Sequence, residues 1–296
     1  MLAWRVTISS ILIPLLIGVF YLDARAGQSA PWLLAFILLL AGRSVWELTE
    51  LLRGRFPRLH FPLMAVCAGA IILSGWLPHW GGVGAATLNL TPLVLCVALV
   101  LMALSAFEAA RFQTPGGTTE LLAVELLIVL YVGVLLALTT QLRWIAGSSA
   151  GYLLIGSLVL CTKGADVGAY FAGKRFGRHQ LAPILSPKKT WEGVFGALLG
   201  GALCGWLWLH FLPPVFISGA GPCPGGLALL YGAVLSLFGM LGDLCESLLK
   251  RDVDRKDSAA LFPGFGGLLD ILDSVLFAGP AALLMWQLLP LATWLH

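Results

Sequence analysis

Nine apolar stretches of about twenty residues run through this sequence, and they leave few architectures open. They are Val6–Leu22, Trp32–Leu51, Phe61–Leu77, Leu88–Phe107, Glu120–Leu142, Tyr152–Gly173, Trp191–Leu212, Leu227–Leu249 and Leu268–Leu289. At a helical rise of about 1.5 Å per residue, each is long enough to cross a hydrocarbon core of about 30 Å. Inside lipid the backbone must pair with itself, so a run of this kind spans as a helix. Turn residues such as Pro78, Pro115-Gly116-Gly117, Pro213-Pro214 and Pro224-Gly225-Gly226 separate the runs. The sequence predicts an all-α, polytopic integral membrane protein of about nine transmembrane helices. Only 11% of its residues are charged, against about 25% in soluble domains. That excludes a disordered chain, an ordinary soluble enzyme and a basic nucleic-acid-binding domain, so no nucleic-acid partner is expected.

The loops are too short to fold alone, which predicts a single membrane domain over residues 1–296. Within it, 1–150 supply lipid-facing, structural helices, and 151–296 supply helices and loops that form the active site. Arg5, the first apolar run and Ala24-Arg25-Ala26 resemble a secretory signal, but the run is longer than a signal core, favouring a retained helix. Short-loop Lys and Arg stay on the cytoplasmic side. With the N-terminus inside, fourteen of the eighteen basic residues fall there and only Arg25 and Arg143 fall outside. The expected location is therefore the inner membrane, with the charged loops 174–190 and 250–267 and the active site facing the cytoplasm. The six cysteines form no CxxC pair, so neither a disulfide nor a thiolate metal site is expected.

Chemistry is sought where charge resists the apolar trend. Asp243, Glu246, Ser247 and Lys250 share one helix face by their spacing, and Asp270 and Asp273 open the next helix. Each Asp at a helix centre costs about 2.5–3.5 kcal/mol on insertion scales. Such acids persist when paired, metal-bound or lining a substrate route. Salt bridges to Lys250 and Arg251 are the simpler account, but they leave unexplained why two acid clusters flank one glycine-rich loop, Phe262–Gly267. Gly266 and Gly267 can turn backbone N–H groups toward an anion at a helix start. With Lys250, Arg251, Arg255 and Lys256 before the loop and Asp270 and Asp273 after it, the pattern suggests Mg²⁺-assisted phosphoryl or nucleotidyl transfer. Ser186, Lys188, Lys189 and Thr190 form a second phosphate-binding candidate, with an interfacial topology anchor as the alternative. Lys163 and Asp166 either neutralise each other, or Asp166 reaches the polar cavity. Arg43 and Glu47 read as a structural i, i+4 pair, and Glu125 has no evident partner. The five histidines show no ligand spacing, and no role is expected for His179.

These residues resemble a known signature. Ser247-Leu248-Leu249-Lys250-Arg251, Lys256-Asp257-Ser258, then Pro263-Gly264-Phe265-Gly266-Gly267-Leu268-Leu269-Asp270 and Asp273 are similar to the motif of phosphatidate cytidylyltransferases, also called CDP-diacylglycerol synthases. Gly242-Asp243-Leu244 with Glu246, Asp166 with Ala169–Gly173, and Ser186–Gly193 resemble the same family's other blocks, so the detailed match runs from Asp166 to Ser274. Phe265 stands where the family usually has His, and Ile271 where it usually has Arg. The resemblance implies CMP transfer from CTP to phosphatidate in phospholipid biosynthesis, giving CDP-diacylglycerol and pyrophosphate. It implies Mg²⁺ on Asp243, Asp270 and Asp273, with room for a second cation. Asp243, Lys250 and Asp270 would be catalytic. Ser186, Lys188, Lys189, Thr190, Ser247, Arg251, Lys256, Gly266 and Gly267 would bind CTP and the lipid phosphate. The implied partners are CTP, phosphatidate and the bilayer, and a homodimer is compatible with the sequence. Two alternatives stand beside this reading: a CTP-dependent enzyme acting on another lipid phosphate or lipid alcohol, and an ion-coupled transporter. The second fits less well, because no internal repeat is visible and the charges crowd at one face.

Overall fold

The computed structural model describes residues 2–80, 88–145, 147–261 and 266–291. Nine long helices carry the described chain. They are α1 (Leu2–Ala26), α2 (Pro31–Leu52), α3 (Phe61–Trp80), α4 (Thr91–Ala110), α5 (Thr118–Ile145), α6 (Gly147–Phe176), α7 (Trp191–Phe211), α8 (Gly225–Arg251) and α9 (Leu269–Leu288). By length and hydropathy α2 to α9 can each cross a membrane. The 25-residue α1 holds the remaining expected span. The protein is an all-α polytopic membrane protein. Its α4 starts at Thr91 rather than Leu88, because Asn89 Oδ1 accepts the Thr91 N–H at 3.1 Å and Pro92 occupies the first turn. Residues Leu130–Val134 form a π turn inside α5.

The chain divides into two compact units, Met1–Ala137 with Val253–Ile271, and Leu138–Asp252 with Leu272–His296. In the first unit the buried Asp23 of α1 accepts the N–H groups of Trp32 at 2.9 Å and Leu33 at 3.0 Å, so an acid of one helix caps the next. Val45, Leu48, Ile71, Ile72, Trp76, Ile128 and Val132 form its dry core. Glu125, unpartnered in the sequence reading, sits with Glu108 and His60, one oxygen of each acid and a ring nitrogen lying within 4.8 Å of one another. Arg111 Nη1 stands 3.0 Å from His60 Nδ1. Burial first, then Arg111, holds the His60 pKa below its ordinary value.

In the second unit α6, α7 and α8 meet backbone to backbone. Gly164 and Gly168 on α6 face Gly196 and Gly200 on α7, both pairs at the four-residue spacing that suits close helix contact in lipid. A Cβ on Gly168 would stand 2.2 Å from the Gly196 carbonyl oxygen. Buried polar groups find partners across the same helices. Trp208 Nε1 donates to the Leu153 carbonyl at 2.9 Å, and the Ser157 and Tyr231 hydroxyls lie 2.8 Å apart. All six cysteines are free thiols, and burial pushes the Cys223 pKa up to about 11.

The loop after α6 is more ordered than its composition suggests. Strands β1 (Gln180–Ala182) and β2 (Ser186–Thr190) pair antiparallel, placing the basic segment on a hairpin. Glu192, in the first turn of α7, accepts the N–H groups of Arg178 at 3.1 Å and His179 at 3.3 Å, and meets His179 Nδ1 at 2.7 Å. Thr190 Oγ1 accepts the Gly193 N–H at 3.1 Å and so caps α7. Thr190→Ala is expected to cost about 1 kcal/mol, lowering the melting temperature of the detergent-solubilised protein by about 2–4 °C.

Candidate active site

Gly242 on α8 lets the start of α9 come close: a Cβ there would stand 2.3 Å from the Asp273 carbonyl oxygen. This approach turns a sequence spacing into a constellation. Oxygens of Asp243, Glu246 and Asp273 lie within 4.8 Å of one another. The Asp243 side chain is 37% exposed, while Glu246 is fully buried and Asp273 is 5% exposed, so the cluster opens on Asp243. Lys189 Nζ reaches from the hairpin to Asp243 Oδ2 at 2.8 Å. Lys250 Nζ, one turn along α8, meets Glu246 Oε2 at 2.7 Å. Ser247 Oγ faces Asp243 Oδ1 at 3.4 Å, and Asp273 Oδ1 accepts the Ser274 hydroxyl at 2.8 Å. The three carboxylates present an all-oxygen donor set. That chemistry fits a hard divalent cation such as Mg²⁺.

Of the expected set Asp243, Asp270 and Asp273, two meet in this cluster, and Glu246 lies with them. Asp270 belongs to the first unit. Its Oδ2 accepts the Gly267 N–H at 2.7 Å, the Ser258 N–H at 3.0 Å and the Ser258 hydroxyl at 2.8 Å. The backbone cradle expected at Gly266 and Gly267 changes meaning. The Gly267 N–H points to Asp270, and those of Leu268 and Leu269 point to Glu47, each at 2.9 Å. Helix starts carry N–H groups without intrahelical partners, and here two side-chain carboxylates of the chain accept them.

The remaining sequence candidates separate. Ser186 begins β2 and is half-buried, Lys188 and Lys256 are exposed, and Thr190 serves as a helix cap. Arg251 donates Nε to the Leu185 carbonyl at 3.2 Å, tying the end of α8 to the hairpin. Lys163 and Asp166 pair at 3.1 Å on the surface, which favours mutual neutralisation. Phe265, with Phe262, Pro263 and Gly264, lies outside the described residues. Two acids gain weight over the sequence reading. Glu246 was legible from its place on the Asp243 face. Glu47, read as the structural partner of Arg43, does pair with it at 2.9 Å but also binds a segment 211 to 222 residues away. Its only local signal is an acid embedded in an apolar helix.

A helical membrane bundle whose intramembrane acids gather with lysines is built as an integral membrane enzyme rather than as a scaffold. The chain belongs to the cytidylyltransferase family, whose profile matches residues 3–289. It is 34% identical to the phosphatidate cytidylyltransferase of Pseudomonas aeruginosa, over 97% of each chain. It is 31% identical to that of Chlamydia pneumoniae over 95% of this chain and 90% of the relative, and 30% identical to that of Haemophilus influenzae over 80% and 83%.

Proposed function

We propose that this chain transfers CMP from CTP to phosphatidate, forming CDP-diacylglycerol and releasing pyrophosphate. The observation that carries the reading is the Asp243–Glu246–Asp273 cluster with Lys189 and Lys250 upon it, in a chain similar over nearly its whole length to enzymes named for this reaction. A phosphate monoester has a second pKa near about 6, so phosphatidate arrives as a ready oxygen nucleophile at neutral pH. That oxygen bonds to the α-phosphorus of CTP, the bond to the β-phosphate bridging oxygen breaks, and pyrophosphate leaves with the electron pair. Neither a covalent enzyme intermediate nor a strong general base is required.

The barrier lies in bringing one anion against a polyanion, so positive charge and positioning do most of the work. Asp243, Glu246 and Asp273 would hold Mg²⁺, which supplies charge neutralisation for the triphosphate. Lys189 and Lys250 add cationic hydrogen-bond donors beside those acids, and Lys188 and Arg251 raise the local positive potential. Asp270 serves the reaction by tying Ser258 to the start of α9. The acyl chains stay in the bilayer while CTP enters from the cytoplasm, in keeping with the inward bias of basic residues. The test is pyrophosphate release by purified protein in detergent, with CTP, phosphatidate and Mg²⁺ each omitted in turn. Release is expected only when all three are present. Release without lipid, or faster CMP transfer to a prenyl phosphate than to phosphatidate, overturns the assignment.

A further inference from the structure

Glu47 is fully buried in α2, and both its oxygens are occupied. Oε1 accepts the Leu268 N–H at 2.9 Å and Arg43 Nε at 2.9 Å. Oε2 accepts the Leu269 N–H at 2.9 Å and the Ser258 hydroxyl at 3.1 Å. The same hydroxyl lies 2.8 Å from Asp270 Oδ2, so its single hydrogen is shared between two carboxylates. Gly267 marks where the carboxylate passes: a Cβ there would stand 2.3 Å from Glu47 Oε2 and 2.1 Å from Ser258 Oγ. A buried carboxylate is costly unless hydrogen bonds saturate it, and these four contacts do so.

A simple helix cap would not need this arrangement. A Ser, Thr, Asp or Asn just before a helix caps it from within three residues, as Thr190 does for α7. The start of α9 is instead held by an acid 221 residues before Leu268 in the chain, so that Ser258, Leu268 and Leu269 meet at one point on α2. Asp270 follows that point directly and is tied to it through Ser258.

We propose that Glu47 is a positioning residue for nucleotidyl transfer, clamping Ser258, Leu268 and Leu269 so that Asp270 and the first turn of α9 are preformed for the triphosphate. The inference rests on the cytidylyltransferase reading above. It gives the N-terminal helices a part in the reaction without placing any of their side chains on the substrate.

Two readouts test it on the full-length protein in detergent, comparing wild type with Glu47→Gln. Hydrogen exchange at the amides of Leu268 and Leu269 is expected to rise at least about tenfold, while α3 is unchanged. Per folded molecule, kcat is expected to fall about thirtyfold, the scale of losing charge-assisted hydrogen bonds, with a higher Mg²⁺ concentration for half-maximal rate and an unchanged KM for phosphatidate. Ser258→Ala, which removes only the shared hydroxyl, should show the same pattern at smaller size, and it carries both readouts if Glu47→Gln does not fold. Unchanged exchange overturns the clamp. Faster exchange with wild-type kcat and Mg²⁺ requirement overturns the positioning role, because a structural contact would alter only the folded fraction. A wild-type protein inert toward CTP and phosphatidate instead fails the functional reading, and this role falls with it; the exchange data then still report on the clamp.

Discussion

Asp273→Asn is expected to remove nearly all turnover while leaving the protein folded. Asn has the shape of Asp, and its amide oxygen can still accept the Ser274 hydroxyl that Asp273 Oδ1 now accepts. What it loses is the negative charge at the buried side of the cluster, where Asp273 is 5% exposed. Removing one preorganised electrostatic element of this kind costs about a hundredfold to a thousandfold in kcat. The measurement is label transfer from CTP to phosphatidate across a Mg²⁺ titration, beside a thermal melt. Turnover within threefold of wild type would sink the assignment of this cluster. Glu246→Gln is a poorer probe of the same idea. It would remove the charge that the Lys250 ammonium, 9% exposed, meets at 2.7 Å. Breaking such a pair costs about 3–5 kcal/mol of stability, so lost activity there would report on folding as much as on chemistry.

Gly168→Val should unfold or severely weaken the second unit. The first carbon of any side chain at this position would stand 2.2 Å from the Gly196 carbonyl oxygen and 3.2 Å from the Gly200 Cα. Those are backbone atoms, which cannot swing aside as a side-chain tip can. Valine adds two further methyl groups, so α6 and α7 must separate along the line of their contact. Overpacking a tight interior costs about 1–3 kcal/mol and at times more, and this position belongs at the upper end. The expected result is a drop in melting temperature of at least about 6 °C, or loss of the monodisperse detergent species. Gly42→Ala is the control, because a Cβ there meets nothing within 4 Å and alanine is the better helix former. A Gly168→Val protein that melts with wild type would show that the two helices do not depend on close approach. Separation would also disturb the hairpin between α6 and α7, and with it Lys189 on Asp243.

The two variants sit on opposite sides of what the sequence makes legible. The Asp243, Glu246, Ser247 and Lys250 face was readable because helical periodicity is a local property, and α8 carries it as expected. The Lys250–Glu246 pair is the i, i+4 contact that such spacing allows. The span lengths were readable for the same reason, since bilayer thickness sets them segment by segment. The hairpin was missed because its two strands are short and β2 carries Pro187 and two lysines, and only the antiparallel pairing makes them strands. The hydrogen bonds of Asp270 were not legible, because its sequence neighbours Gly266 and Gly267 can present N–H groups to a phosphate or to a side chain equally well.

Taken by itself, the sequence determined the medium, the helices and the residues able to do phosphate chemistry. All of these follow from composition and periodicity over windows of about twenty residues or fewer. Tertiary structure decided which carboxylate meets which partner. Glu246 joins Asp243 and Asp273, Lys189 reaches Asp243 from the hairpin, and Glu47 holds the start of α9. The physical reason is that a carboxylate is satisfied by any donor in reach. Which donors come within reach depends on how closely helices far apart in the chain can pack, as at Gly242 against Asp273.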